Sequence, residues 1–212
     1  MKSILISLLV LTGIGCNAQI NLSQLDGFIT SKELTKLEIL GENGINQLLI
    51  DDTDKNYLRL SVKSEELYVA SLCICNEKNE VSVLHASAAL GQILYKKSES
   101  SWTTNQKFDW QMREEGMEAG ILEKRKRYLD NFGWVANTMG MGQAGETEFI
   151  IDRNKFKGEL KLAIGLMTAR DPNDIIGIPI SDGGDCADHM LVSGDPKSSY
   201  YFDPSSWIVI MD

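Results

Sequence analysis

The sequence predicts an all-β fold, a jelly-roll-like β-sandwich with one inserted α-helix, and three observations carry that prediction. Short apolar runs recur between residues 47 and 112, divided by polar loops of hairpin length. Within them apolar and polar residues alternate: Phe108, Trp110 and Met112 fall on one face, Asp109 and Gln111 on the other. One stretch, 113–131, instead places Met117, Ile121, Leu122 and Leu129 at roughly helical spacing, with Phe132 completing the stripe and Gly133 as its stop.

Taken in order, the chain opens on a segment read as an export signal. Lys2 is followed by an apolar run from Ile4 to Leu11, broken only by Ser7, and by the small residues around Gly13, Gly15 and Ala18. That run falls short of the roughly 20 apolar residues a spanning helix needs. Two processing sites are open. Cleavage after Ala18 makes 1–18 the signal peptide and 19–212 a single domain; cleavage before Cys16 makes 1–15 a lipoprotein signal and Cys16 the lipid attachment site. Either way the protein is expected outside the cytoplasm: periplasmic, outer-membrane-associated or extracellular.

Strands are expected over Gln47–Ile50, Tyr57–Val62, Leu67–Cys75, Val81–His85, Gln92–Tyr95, Ser101–Thr104 and Phe108–Met112. After the helix they resume at Glu146–Ile151, Glu159–Met167, Ile175–Ile180 and Ser206–Met211. The last is rich in Trp, Ile and Val and is expected to tie down the C-terminus in the core. No repeat or low-complexity tract divides the chain, so it reads as one domain.

Charge narrows the partners. With 21 basic and 30 acidic residues the net charge is −9. An acidic surface repels phosphate backbones and anionic lipid, which argues against nucleic acid and leaves a lipid anchor as the one route to a membrane. The basic run Lys124–Arg127 follows Glu114, Glu115, Glu118 and Glu123 and reads as a solvated helix face.

Three cysteines remain beyond Cys16. Cys73 and Cys75 stand two apart in a strand and share a face, so either can meet Cys186, or all three are buried small hydrophobes. Cys75 with Cys186 is the candidate bridge. With only His85 and His189 available, a zinc site is not expected.

Several residues carry candidate chemistry. Asp182, Asp185 and Asp188 lie on a loop softened by Gly183 and Gly184 and could supply oxygen ligands to Ca2+, the one cofactor considered. Asp52, Asp54 and Asn56 start like an EF-hand loop. Tyr57 then replaces the required glycine and Lys63 the closing glutamate, leaving a polar hairpin turn. Trp102, Tyr200 and Tyr201 border loops and are the candidates for stacking on a ligand, whereas Trp110 and Trp207 read as core. His85 ends an apolar run and reads as a satisfied, partly buried histidine, with Ser87 too near along the strand to be its partner. No G-x-S-x-G, P-loop, G-x-G-x-x-G or H-E-x-x-H motif is present.

The order of features resembles family 9 carbohydrate-binding modules and the related DOMON-like sandwiches. The resemblance rests on Leu25-Asp26-Gly27-Phe28-Ile29-Thr30-Ser31-Lys32-Glu33-Leu34, the acidic turn Asp52–Asn56, and the strand Glu66-Leu67-Tyr68-Val69-Ala70. The stretch from Val69 to Gly91 is also similar to uncharacterised exported bacterial proteins of this kind. Together these cover roughly residues 24–112. What the resemblance implies is a non-catalytic binding or accessory domain of the cell envelope, with a polysaccharide or other envelope component as partner. Two competing expectations stand beside it: a secreted hydrolase built on Asp182, Asp185, Asp188 or His189, and a purely structural envelope protein.

Overall fold

A computed structural model describes residues 20–64, 66, 68–87, 89–105, 110–113, 120–137, 146–168, 171, 175–180, 186 and 199–210. A one-turn helix, α1 (Ser31–Leu34), leads into β1 (Glu38–Asn43), β2 (Asn46–Asp51) and β3 (Tyr57–Lys63). Strands β4 (Tyr68–Cys75), β5 (Glu80–Ala86), β6 (Ala89–Ser98), β7 (Ser101–Thr103) and β8 (Trp110–Arg113) follow, then helix α2 (Ile121–Phe132). The chain continues through β9 (Trp134–Asn137), β10 (Thr147–Asp152), β11 (Leu160–Thr168), β12 (Ile175–Ile178), β13 (Ser199–Tyr200) and β14 (Ile208–Ile210).

These strands make two antiparallel sheets. Sheet A has the order β1-β2-β3-β10-β9, and sheet B the order β12-β11-β4-β5-β6-β7-β13. β14 lies on the same edge of β11 as β12, and β8 on the same edge of β6 as β7. The fold is therefore the expected all-β sandwich with an inserted helix. Its jelly-roll character lies where the chain changes sheets: β3 in A hands over to β4 in B, and β10 and β11 later make the same crossing alongside them.

Alternation decides what each face buries. Leu58, Leu60 and Val62 of β3 and Phe149 and Ile151 of β10 join Leu72, Ile74, Leu84, Leu162 and Ile164 of sheet B in one core between the sheets. The opposite side chains of sheet B, including Cys73, Val83, Ile93 and Tyr95, form a second core with Cys186, Phe202 and Trp207. Sheet B is thus apolar on both faces, and so its strands read as nearly continuous apolar runs.

The helix differs from expectation at its start. Arg113 belongs to β8, where it pairs with Ala89, and α2 begins only after Gly120, whose φ of +93° breaks the chain direction. Its end is as expected: Gly133 takes φ +79° and returns its N–H to the Leu129 carbonyl. Strands β1, β9 and β13 were not expected. β1 is a half-exposed edge strand, β9 has four residues and β13 two, too little for a period to show.

Candidate binding groove

The outward face of sheet A carries the charged side chains of Asp51, Arg59 and Glu148. Register places Leu49, Ser61, Glu148 and Asn137 in one row across β2, β3, β10 and β9, and Asp51, Arg59, Ile150 and Val135 in the next. A polar side chain in such a row must find partners or water. Much of what it finds is residues 20–37, which lie across this face as a strap.

The strap is fastened through its backbone. Glu148, with its side chain only 1% exposed, accepts the N–H groups of Asp26 at 3.1 Å and Gly27 at 3.0 Å through Oε2. Glu146 accepts the Ile29 N–H. From the other side, the buried Arg125 of α2 and Asn137 of β9 both donate to the Leu25 carbonyl, at 2.5 and 2.9 Å. Gly27 turns the chain with φ +79°, and Phe28 N–H closes on Asp26 Oδ1 at 2.9 Å. Thr30 and Glu33 then form a capping box that starts α1.

Arg59 ties the strap to the sheet a second time. Its Nη1 donates to Glu33 Oε1 at 3.2 Å, while its Nε stands 4.0 Å from Glu148 Oε1. Burial pushes the Glu148 carboxyl up to about 7; the nearby charges of Glu33 and Asp26 add to the rise, and Arg59 and the Gly27 N–H oppose it.

Between strap and sheet runs an open groove. One part, about 450 Å³, is walled by Asp26, Thr30 and Glu33 on the strap and by Asp51, Asp54 and Arg59 on the sheet. A second part, about 760 Å³, continues toward α2, past Leu122, Lys126 and Asn154. Tyr57, Ile20, Asn21 and Ser23 line both. Tyr57 is half-buried, and burial together with the Asp152 and Asp130 carboxylates raises its phenol above the ordinary value.

Of the expected stacking residues, Trp102 is placed otherwise. Trp102 is 2% exposed, donates its indole N–H to the Phe202 carbonyl at 3.0 Å and packs edge-on against the Phe202 ring, so it is core and cannot meet a ligand. The reason is that β7 is covered by the C-terminal segment, so its central residue has no free face. Tyr201 is 62% exposed, as expected; Tyr200 lies in β13, with its side chain outside the described residues. Trp207 is buried. Sequence reasoning missed Tyr57 and Arg59, although Tyr57-Leu58-Arg59-Leu60-Ser61-Val62 alternates strictly and so marks them as outward-facing.

The disulfide joins Cys73, not Cys75, to Cys186, with Cα atoms 5.7 Å apart. Cys186 sits over the middle of β4, its Sγ 3.1 Å from the Ser71 carbonyl oxygen. Cys75 ends the strand; it stays a buried thiol turned toward the Asn76 carbonyl, and burial raises its pKa. On the same face His85 Nδ1 lies 2.9 Å from Ser71 Oγ, its directly opposite neighbour. Serine and histidine in contact suggest a nucleophile and a base. Here both are sealed from solvent, and burial lowers the imidazole to about 4, so the pair is neutral and structural.

Asp54 caps the N–H groups of Asn56 and Tyr57, and Asp52 pairs with Arg153, as a hairpin turn requires. The export signal, Cys16, and the loop residues Asp182, Asp185, Asp188 and His189 lie outside the described residues, so the Ca2+ and hydrolase expectations do too. Among the described residues no group of His, Cys, Asp and Glu is arranged to hold a metal ion. Comparison with protein-family models, curated proteins and solved structures finds no match to this chain.

Proposed function

We propose that the chain is an exported, non-catalytic accessory domain of the cell envelope that binds a short carbohydrate in the groove between the strap and sheet A. The observation that supports this reading is the groove itself. It combines a half-buried tyrosine at its centre with amide, hydroxyl and charged groups held in place by the fold. A sugar ring offers an apolar C–H face and a rim of hydroxyls, and such a lining can meet both. Lys126 and Asp130, paired at 2.7 Å, and Arg59 with Glu33 present fixed donors and acceptors rather than free charges. The resemblance of residues 25–34 to carbohydrate-binding sandwiches points the same way, since that segment is the strap.

A glycan array with residues 19–212, run with and without Ca2+, tests the proposal, followed by calorimetry on the best glycan. Tyr57→Ala and Leu122→Glu are expected to weaken binding at least tenfold, while thermal unfolding of Leu122→Glu stays near that of the parent chain. Absence of binding in both conditions, or binding that neither substitution changes, overturns it.

A further inference from the structure

The strap walls one side of the groove, and one turn of it, Asp26–Gly27, is held by a buried carboxyl. Oε2 of Glu148 takes the two N–H groups of Asp26 and Gly27. Among the described residues Oε1 meets the Arg59 Nε at 4.0 Å, beyond hydrogen-bond reach. Directly across the ladder the Ser61 hydroxyl is buried and has no hydrogen-bond partner among the described residues. A carboxylate left in this setting carries a charge that two N–H groups and a distant guanidinium compensate only in part.

The surrounding charges do not repair the deficit. Arg59 of β3 is already engaged with Glu33 of α1, and both Glu33 and Asp26 of the strap face Glu148 with their own negative charge. Arg125 of α2 donates to the Leu25 carbonyl. Glu146, two residues earlier on the same strand, holds the Ile29 N–H. Lifting the strap would rehydrate Glu148 and remove the penalty on its charged form.

We infer that the turn of the strap from Asp26 to Ile29 is a proton-operated latch on the groove: it closes with Glu148 protonated and loosens as that carboxyl gives its proton to solvent, while Leu22 and Leu25 stay anchored in the core. The regulatory consequence rests on reading the groove as the binding site, but the latch is measured without ligand, so the two can fail separately. The rise of the Glu148 carboxyl to about 7 places the change in the range between mildly acidic and mildly alkaline conditions.

Hydrogen exchange of the Asp26, Gly27 and Ile29 amides, corrected for the intrinsic pH dependence, is the direct test. Protection is expected to fall at least tenfold between pH 5.5 and 8.5 in the parent chain and to stay flat in Glu148→Gln. A flat parent profile, or the same fall in Glu148→Gln, overturns the latch. Should Glu148→Gln fail to fold, the carboxyl carbon shift of Glu148 in the parent chain decides: a midpoint between pH 6 and 8 supports the latch and one outside that range overturns it.

Discussion

The outward faces of the two sheets are covered by opposite ends of the chain, and the two covers are held by different chemistry. Over sheet A the strap sinks Leu22 and Leu25 into the core, and its turn and backbone are held by Glu148, Arg125, Asn137 and Arg59. Over sheet B the C-terminal segment is held by the Cys73–Cys186 bond and by Phe202, whose ring meets Tyr95, Trp102 and Trp207 at centroid distances of 5.3 to 6.1 Å. Polar fastening is directional and depends on protonation; covalent and apolar fastening is neither. A face meant to open to a ligand is better served by the first, and a face meant only to be sealed by the second.

The comparison breaks most visibly if the seal over sheet B is not dominant. Cys186→Ser is expected to cost about 4 kcal/mol in urea unfolding without reductant, since the bond closes a sequence separation of 113 residues. Cys75→Ala should cost less than about 1.5 kcal/mol, as a thiol that bonds nothing covalently. Equal losses in the two variants would contradict the assignment of Cys73 as the partner.

Next in size are two pH effects of opposite sign. His85 is lowered from 6.5 to about 4, so the folded protein binds fewer protons than the unfolded chain in between. Its contribution is present above pH 6.5 and lost as pH falls through 4, about 3 kcal/mol in all. Glu148 is raised from 4.5 to about 7, so its contribution is present below pH 4.5 and lost as pH rises through 7, again about 3 kcal/mol at most. Unfolding midpoints in His85→Gln and Glu148→Gln against pH should therefore diverge from the parent at opposite ends. A smaller effect than these sharpens the contrast: Arg125→Met should cost about 2 kcal/mol, through the lost charge-assisted bond to Leu25, and should raise exchange of the strap amides before the core melts.

Much of the fold was legible because sheet periodicity is a local signal. Tyr57–Val62 stops one residue short of the observed β3, and Glu146–Ile151 is β10 shifted by one residue. The start of α2 was not legible, since the apolar stripe continues back through Met117 while Gly120 takes a conformation that ends the helix. The site was harder. A lone acid within Thr147-Glu148-Phe149-Ile150 is a readable oddity, but nothing local says that a segment more than a hundred residues earlier will bring two N–H groups to it. Trp102 misled for the same reason: its cover arrives from Phe202.

The paired crossings of β3 into β4 and β10 into β11 also bear on how the molecule is made. Tyr57 waits for Asp152 and Tyr68 for Thr168, so the β3–β10 and β4–β11 ladders close late and over a long span of chain. Folding of such a topology is slow, on the order of milliseconds to seconds. A nascent or truncated chain that stops short of Thr147 leaves β3 and β4 with bare inner edges, open to pairing with neighbouring molecules.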